Sequence, residues 1–226
     1  MLGLPTGKGS GHAPAASALA HRMLAAKQVT WRGQSELPQM PWPMPRPGLV
    51  LVVDMWSGIG GLLVALLALG VRCIAVSAEQ DATILPSVQQ HFPHVVHTET
   101  VESLKGEDFL PVLRRREFSA ILLGGGSPCQ GNSSLNLGRR GWQDTRSQQP
   151  LHLARLQKEL REVLKANRMA IPVLSFLENV ASTQKDVIAK YTDLVKGPPI
   201  VIDAEMWGWV KRHRLFWLSC MTVDGG

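Results

Sequence analysis

The chain has 226 residues, 45% of them hydrophobic and 19% charged, and a formal net charge of +6. That length suits one domain with a core of its own, and that composition excludes a chain too polar to fold. The longest apolar stretch, Leu62 to Leu69, is far too short to cross a bilayer, and no secretory signal stands at the start. Cys73, Cys129 and Cys220 lie far apart, with neither a Cys-x-x-Cys pair nor a metal-ligand spacing. Such a sparse, odd set implies a reducing compartment and excludes a disulfide framework. The charge is uneven. Residues 1–48 carry Lys8, Arg22, Lys27, Arg32 and Arg46 against the single acid Glu36. The rest is close to neutral, so charge alone does not point to a nucleic-acid partner.

Residues 1–48 are rich in Gly, Pro, Ala and Ser and read as a basic, mostly disordered extension. Within it, Ala15 to Lys27 can form a short helix. Pro38 to Pro47 is too proline-rich for a helix and reads as an extended linker. From Leu49 the pattern changes to alternating strands and helices. Strands are expected at Val50–Val53, Cys73–Ser77, Ser119–Leu123, Pro172–Leu177, Ile200–Ala204 and Leu215–Ser219. Helices are expected at Gly60–Leu69, Ala82–His91, Leu151–Ala166 and Val187–Val195. This alternation predicts an α/β fold, a mostly parallel sheet with helices on both faces.

Three places along that pattern carry chemistry. Asp54 to Gly61 (Asp-Met-Trp-Ser-Gly-Ile-Gly-Gly) follows the first strand and opens a helix. Its glycines let the backbone turn tightly and approach a ligand. Glu79 follows the second strand, about twenty residues on, where an acid binds ribose hydroxyls. The same pair would serve a dinucleotide, so it does not choose a cofactor. Cys129 sits on the loop Gly124-Gly125-Gly126-Ser127-Pro128-Cys129-Gln130-Gly131-Asn132-Ser133, just after the apolar run Ile121–Leu123. Glu178-Asn179-Val180 follows the run Val173–Leu177. A thiol and a carboxyl thus stand at the strand ends where open α/β sheets keep their sites. Together they can attack an electron-poor ring and protonate it. Cys73 and Cys220 read as small buried hydrophobes, and Arg114-Arg115-Arg116 as a solvated turn. Glu178 alone would also suit a helix N-terminus. Arg212 and Arg214, alternating before the last strand, fit either a site or a solvated face.

Four motifs in one linear order resemble the cytosine-C5 DNA methyltransferases, over roughly residues 49–219. They are Asp54–Gly61, Pro128-Cys129-Gln130 with Ser133, Glu178-Asn179-Val180 and Arg212-His213-Arg214-Leu215-Phe216-Trp217. The Ser-Pro-Cys form and the Arg-x-Arg-x-Phe-Trp ending lean toward the de novo-type enzymes of animals. The resemblance implies a Rossmann-like domain that uses S-adenosyl-L-methionine and methylates C5 of a cytosine flipped out of DNA. By it, Cys129 is the nucleophile, Glu178 the acid at N3, and Asn179 fixes the loop. Arg212 and Arg214 orient the base and the cysteine region. Asp54, Trp56, Gly58, Gly60, Gly61, Glu79, Gln80 and Pro128 hold the cofactor, with Trp56 near the adenine and Glu79 at the ribose. Arg139, Arg140 and Arg146 contact DNA phosphates. No metal is implied.

Two positions depart from the family pattern. Thr100, between Glu99 and Glu102, stands where the family has an aspartate reaching the adenine. Val210 stands where it has a glutamine two residues before the first arginine. Residues 49–226 also read as a catalytic domain without the usual target-recognition region. Three explanations stay open: a fragment, an inactive copy that binds a partner methyltransferase subunit, or a rearranged motif order. The third rests on Gly9 to Pro14 before a helix at Ala15–Ala26, faintly similar to the family's last motif, with His12 in place of Asn. A tRNA cytosine is an alternative substrate. The implied compartment is intracellular, the nucleus in a eukaryote or the cytoplasm in a bacterium.

Overall fold

The computed structural model describes residues 17–30, 48–206 and 208–219. Helix α1 (Ala18–Ala25) is followed by strand β1 (Val50–Asp54), α2 (Gly61–Ala68), β2 (Cys73–Ala78), α3 (Leu85–His91), β3 (Val96–Thr98), α4 (Leu110–Arg115) and β4 (Ala120–Gly126). Then come α5 (Pro150–Ala166), β5 (Val173–Val180), α6 (Lys185–Val195), β6 (Pro199–Asp203) and β7 (His213–Leu218). The strands form one sheet in the order β3-β2-β1-β4-β5-β7-β6. β7 alone runs antiparallel, to β5 on one side and β6 on the other. The mostly parallel sheet expected from the sequence is therefore the one found. The strand order reverses between β1 and β4, which opens a crevice at their carboxyl ends. Asp54, Ala78, Gly126 and Glu178 all lie at that edge.

The central strands are continuous apolar runs because both of their faces are covered. β1 and β2 are buried at every position. On one face Leu51, Val53, Ile74, Val76, Ile121, Leu123 and Leu177 pack with α1, α4, α5 and α6. On the other, Val50, Val52, Cys73 and Ala75 pack with Leu63 and Leu67 of α2 and Val88 of α3. Helix α5 buries Leu153, Leu156, Leu160 and Leu164, one stripe at helical spacing. Each contributes roughly 2 kcal/mol of transfer free energy. Phe176 and Phe216, with ring centroids 6.0 Å apart, are half-buried and belong to neither cluster.

The structure extends or corrects several expectations. β4 and β5 run on past their apolar runs, to Gly126 and Val180. β3 and α4 carry too little apolar pattern to be read in advance. Arg114 and Arg115 are not a turn but the last turn of α4, where cations suit the helix dipole. The Arg116 side chain donates to the Ala26 carbonyl at 2.9 Å. α3 begins only at Leu85, with Pro86 in its first turn. The short helix expected near residues 15–27 is α1, capped by Ser17 Oγ, which accepts from the Ala20 amide at 3.1 Å. It buries Leu19, Ala20 and Met23, and the Val29 amide donates to the Cys73 carbonyl at 2.8 Å. Residues 17–30 are thus packed on the domain. Gly9 to Pro14, Pro38 to Pro47 and Cys220 lie outside the described residues. Cys73 is buried, and burial pushes its thiol up to about 12.

Candidate active site

The first half of the site is a backbone turn. β1 ends at Asp54, and the Ser57 amide donates to the Ala78 carbonyl at 3.2 Å. Gly58 and Gly60 have φ of 48° and 86°, which only glycine adopts freely. A Cβ on Gly60 would also meet the Phe92 ring. The turn is tied to the end of the neighbouring strand β2, because the Gly58 amide donates to Glu79 Oε2 at 2.7 Å. Beneath it Ser77 Oγ donates to Ser57 Oγ at 2.7 Å. No spacing in the sequence marks these serines as partners.

A cavity of about 270 Å³ opens above this turn. Trp56, Gly58, Glu79, Gln80 and Pro128, five of the expected cofactor residues, line it. Gly60 and Gly61 do not; they carry the chain into α2. Asp54 lies underneath, fully buried, and its Oδ2 has no hydrogen-bond partner. Burial, then the charge of Glu79, pushes this carboxyl up to about 7. Glu99, Val101 and Gln149 complete a wall of the cavity. Gln149 accepts from the Trp56 indole at 3.4 Å and donates to Glu102 at 3.1 Å. Thr100 does not line the cavity; its hydroxyl accepts from the Ser103 amide at 3.3 Å. No residue of α1 lines it either.

The second half is built on β4 and β5. Gly124 and Gly125 have φ of 147° and 151°, and neither leaves room for a side chain: a Cβ on Gly125 would stand 3.0 Å from Asp54 Oδ1. A Cβ on Gly124 would collide with the Phe176 carbonyl, and one on Gly126 would stand 2.6 Å from Glu178 Oε2. Gly126 is registered directly opposite Glu178, and the Ser127 amide donates to the Glu178 carbonyl at 3.2 Å. The half-buried Cys129 follows two residues later. Its carbonyl accepts from the Asn132 and Ser133 amides at 2.9 and 2.8 Å.

A buried amide network fixes that loop. Asn179 Nδ2 donates to Ser127 Oγ at 2.9 Å, and Asn132 Nδ2 to the Tyr191 hydroxyl at 3.1 Å. Ser147 Oγ donates to Asn132 Oδ1 at 2.8 Å, and the Tyr191 hydroxyl to the Ser147 carbonyl at 2.9 Å. These groups are satisfied away from water, so each partner removed leaves another stranded. The structure thus adds Asn132, Ser147 and Tyr191 to the loop-fixing role expected of Asn179. Only the chain fold brings them together, and no local pattern could have found them.

Glu178 is half-buried and paired with Arg214, Nε to Oε1 at 2.6 Å. Burial raises its carboxyl above the ordinary carboxylate range, and the charges of Arg214 and Arg212 offset only part of that. The Arg212 amide donates to Asp203 Oδ1 at 3.0 Å, and Val210 is solvent-exposed.

The three arginines after the cysteine loop differ. Arg139 donates to the carbonyls of Asn132 and Ser182 at 3.2 and 2.8 Å, and so braces the loop. Arg146 lines the cavity above the glycine turn and forks onto Asp144 at 2.9 and 2.7 Å. That pairing brings the Asp144 carboxyl down to about 2. Arg140 is exposed and lines a second hollow of about 520 Å³, together with Arg146.

A glycine turn after the first strand tied to an acid after the second, in a parallel sheet with an antiparallel last strand, defines the Rossmann-like methyltransferase class. The sequence profile of the C-5 cytosine-specific DNA methylases matches residues 50–190. The chain belongs to that family. A solved E. coli protein described as a DNA modification methyltransferase encoded within a prophage is 25% identical, with a TM-score of 0.56, covering 78% of this chain and 49% of its own. The Entamoeba histolytica methyltransferase EhMeth is 16% identical, with a TM-score of 0.54, covering 77% and 53%, and shows the shared fold. The chain therefore spans about half the length of these solved proteins. No curated protein matches it. Among the described residues no helix is long and apolar enough to cross a membrane, and no His, Cys, Asp and Glu cluster could hold a metal ion.

Proposed function

We propose that this domain methylates C5 of cytosine in DNA through a covalent adduct on Cys129. The observation that carries the reading is the β4–β5 register. It sets Glu178 opposite Gly126, the residue just before the Ser-Pro-Cys turn, at the sheet edge that also holds the Gly58–Glu79 cavity.

The cavity suits S-adenosyl-L-methionine. Trp56 offers a flat apolar wall, Glu79 and Glu99 offer negative charge to a cationic ligand, and the glycine turn leaves no side chain in the way. When bound, the cofactor supplies an electrophilic methyl group on a sulfonium. Trp56, Gly58, Glu79, Gln80 and Pro128 would hold it, with Asp54, Gly60 and Gly61 shaping the turn.

Cytosine C6 is a weak electrophile, so a covalent path splits one hard step into easier ones. The Cys129 thiolate adds to C6 and opens the C5–C6 double bond. Glu178, whose raised pKa keeps more of it protonated, gives a hydrogen bond or proton to N3. C5 then carries the electron density that accepts the methyl group. Loss of the C5 proton to a base restores the double bond and expels the thiolate. Arg214 holds Glu178 in place, Arg212 adds positive charge beside it, and Asn179 holds the Ser127–Cys129 turn. The base must leave the duplex to reach Cys129.

The test is DNA containing 5-fluorocytosine, incubated with labelled S-adenosyl-L-methionine. Fluorine blocks the last elimination, so an active chain forms a denaturation-resistant adduct. The adduct is expected with the wild type and absent with Cys129→Ala of unchanged circular dichroism. An adduct that survives Cys129→Ala overturns the mechanism.

A second reading, a methyltransferase-like module acting through a partner subunit, is favoured by Thr100, which stands in place of the family's aspartate and meets the Ser103 amide rather than the cavity. It predicts neither adduct nor measurable cofactor binding by this chain alone. A tRNA substrate predicts the adduct on 5-fluorocytosine RNA instead.

A further inference from the structure

The tip that joins β6 to β7, residues 204–212, carries a feature that the chemistry above does not use. Trp209 is 104% exposed, with Met206 at 70% and Val210 at 65% beside it. Its indole enters no ring contact among the described residues. An exposed apolar cluster of this kind marks a contact surface more often than an accident.

The two ends of the tip are tied together by Asp203. Asp203 Oδ1 accepts from the Glu205 and Arg212 amides at 3.1 and 3.0 Å, and Asp203 Oδ2 pairs with His213. Topology fixes where it points. β7 begins beside the carboxyl end of β5, with Arg214 opposite Val180, so the tip leaves the sheet at the edge that carries Cys129 and Glu178. It flanks the nucleophile on the side away from the Gly58–Glu79 cavity. Its acids are engaged: Glu205 lies 3.7 Å from Lys211, and Asp203 is tied as above. An exposed indole with apolar Val210 beside it and the cations Lys211 and Arg212 next along the chain, Lys211 paired with Glu205, is the composition of a base-stacking contact.

We propose that Trp209 stacks on a base of the nucleic-acid strand lying across the Cys129 crevice, making the β6–β7 tip a second DNA contact of this domain. The inference rests on the DNA reading above and names a surface that serves it. Aromatic stacking on a base tolerates any sequence, so it can hold a strand whose target base has left the stack.

The test is fluorescence anisotropy with a duplex in which the target cytosine faces an abasic site, for wild type, Trp209→Ala and Trp209→Phe. Cofactor affinity and circular dichroism are measured alongside. Trp209→Ala is expected to weaken DNA binding about 10-fold, Trp209→Phe less than 3-fold, with cofactor affinity and the salt slope unchanged. Equal DNA affinity of wild type and Trp209→Ala overturns the stacking role while leaving the DNA reading intact. A wild type that binds cofactor but no DNA removes both. A loss of self-association in sedimentation, without a change in DNA affinity, overturns the proposal and assigns the tip to a protein contact.

Discussion

The two halves of this sheet hold their carboxylates in opposite ways. On the β1–β2 side every strand position is buried, and Asp54 has an oxygen with no partner at all. On the β5–β7–β6 side no residue of β6 is buried, and Glu178 is braced by Arg214. Both carboxyls are raised by burial, but only one has cations to offset it. The first half is therefore a closed scaffold in which backbone turns shape a cavity. The second is an open edge in which charged pairs position side chains that must meet something large.

The largest effect should come from breaking the second half alone. Glu178→Gln keeps the shape and the hydrogen-bonding capacity but cannot give up a proton. Single-turnover methyl transfer should fall about 100-fold or more, with cofactor affinity unchanged. The wild-type rate should also decline as pH rises through the raised pKa of Glu178, because the acid form is lost there. Glu178→Gln should remove that decline. A matching loss of cofactor affinity would show that the halves are not separable. Gly124→Ala strikes the seam. Its new Cβ meets the Phe176 carbonyl, a backbone group that cannot swing aside, at a φ that side chains resist. Denaturant titration should show a loss of about 3 kcal/mol.

The same contrast explains what the sequence alone reveals. Buried parallel strands announce themselves as apolar runs, so β1, β2 and the starts of β4 and β5 are legible. Their continuations, Gly124–Gly126 and Glu178–Val180, are mostly glycine and polar residues of low strand propensity and are held by pairing across the sheet, Gly126 with Glu178 and residues 178–180 with β7. β3 has three residues and one that is buried, too short for a period to register. Cys129 and Glu178 are legible because each closes an apolar run with unusual residues. Asn132, Ser147 and Tyr191 are not, since their hydrogen bonds join positions 15 to 59 residues apart. Nor is Arg146, whose charge reads as free until Asp144 is seen chelating it.

Asp54 offers a way to test the closed half. Its folded pKa, about 7, lies above the ordinary value of 3.8. The folded state therefore holds the proton more tightly than the unfolded chain. The favourable contribution is complete below about pH 3.8 and is lost as pH rises to about 7. Asp54→Asn carries no charge and should flatten that dependence. At pH 8 it should be more stable than wild type by about 2 kcal/mol, and at pH 4 no more stable. Urea titrations at the two pH values check this, and an equal difference at both would refute the account.

The smallest effect should come from Arg140, and it separates two arginines that look alike in the sequence. Arg139 already gives its guanidinium to two carbonyls of the nucleophile loop. Its removal should lower stability along with any DNA affinity. Arg140 is exposed on the rim of the outer hollow beside Arg146, so it is free to meet a phosphate. Arg140→Ala should leave the melting temperature unchanged and reduce the slope of log Kd against log salt by about one. Binding should weaken to a similar degree on any DNA sequence, since a phosphate contact positions without reading bases. A slope that stays constant would place the DNA backbone elsewhere on the open edge, nearer the β6–β7 tip.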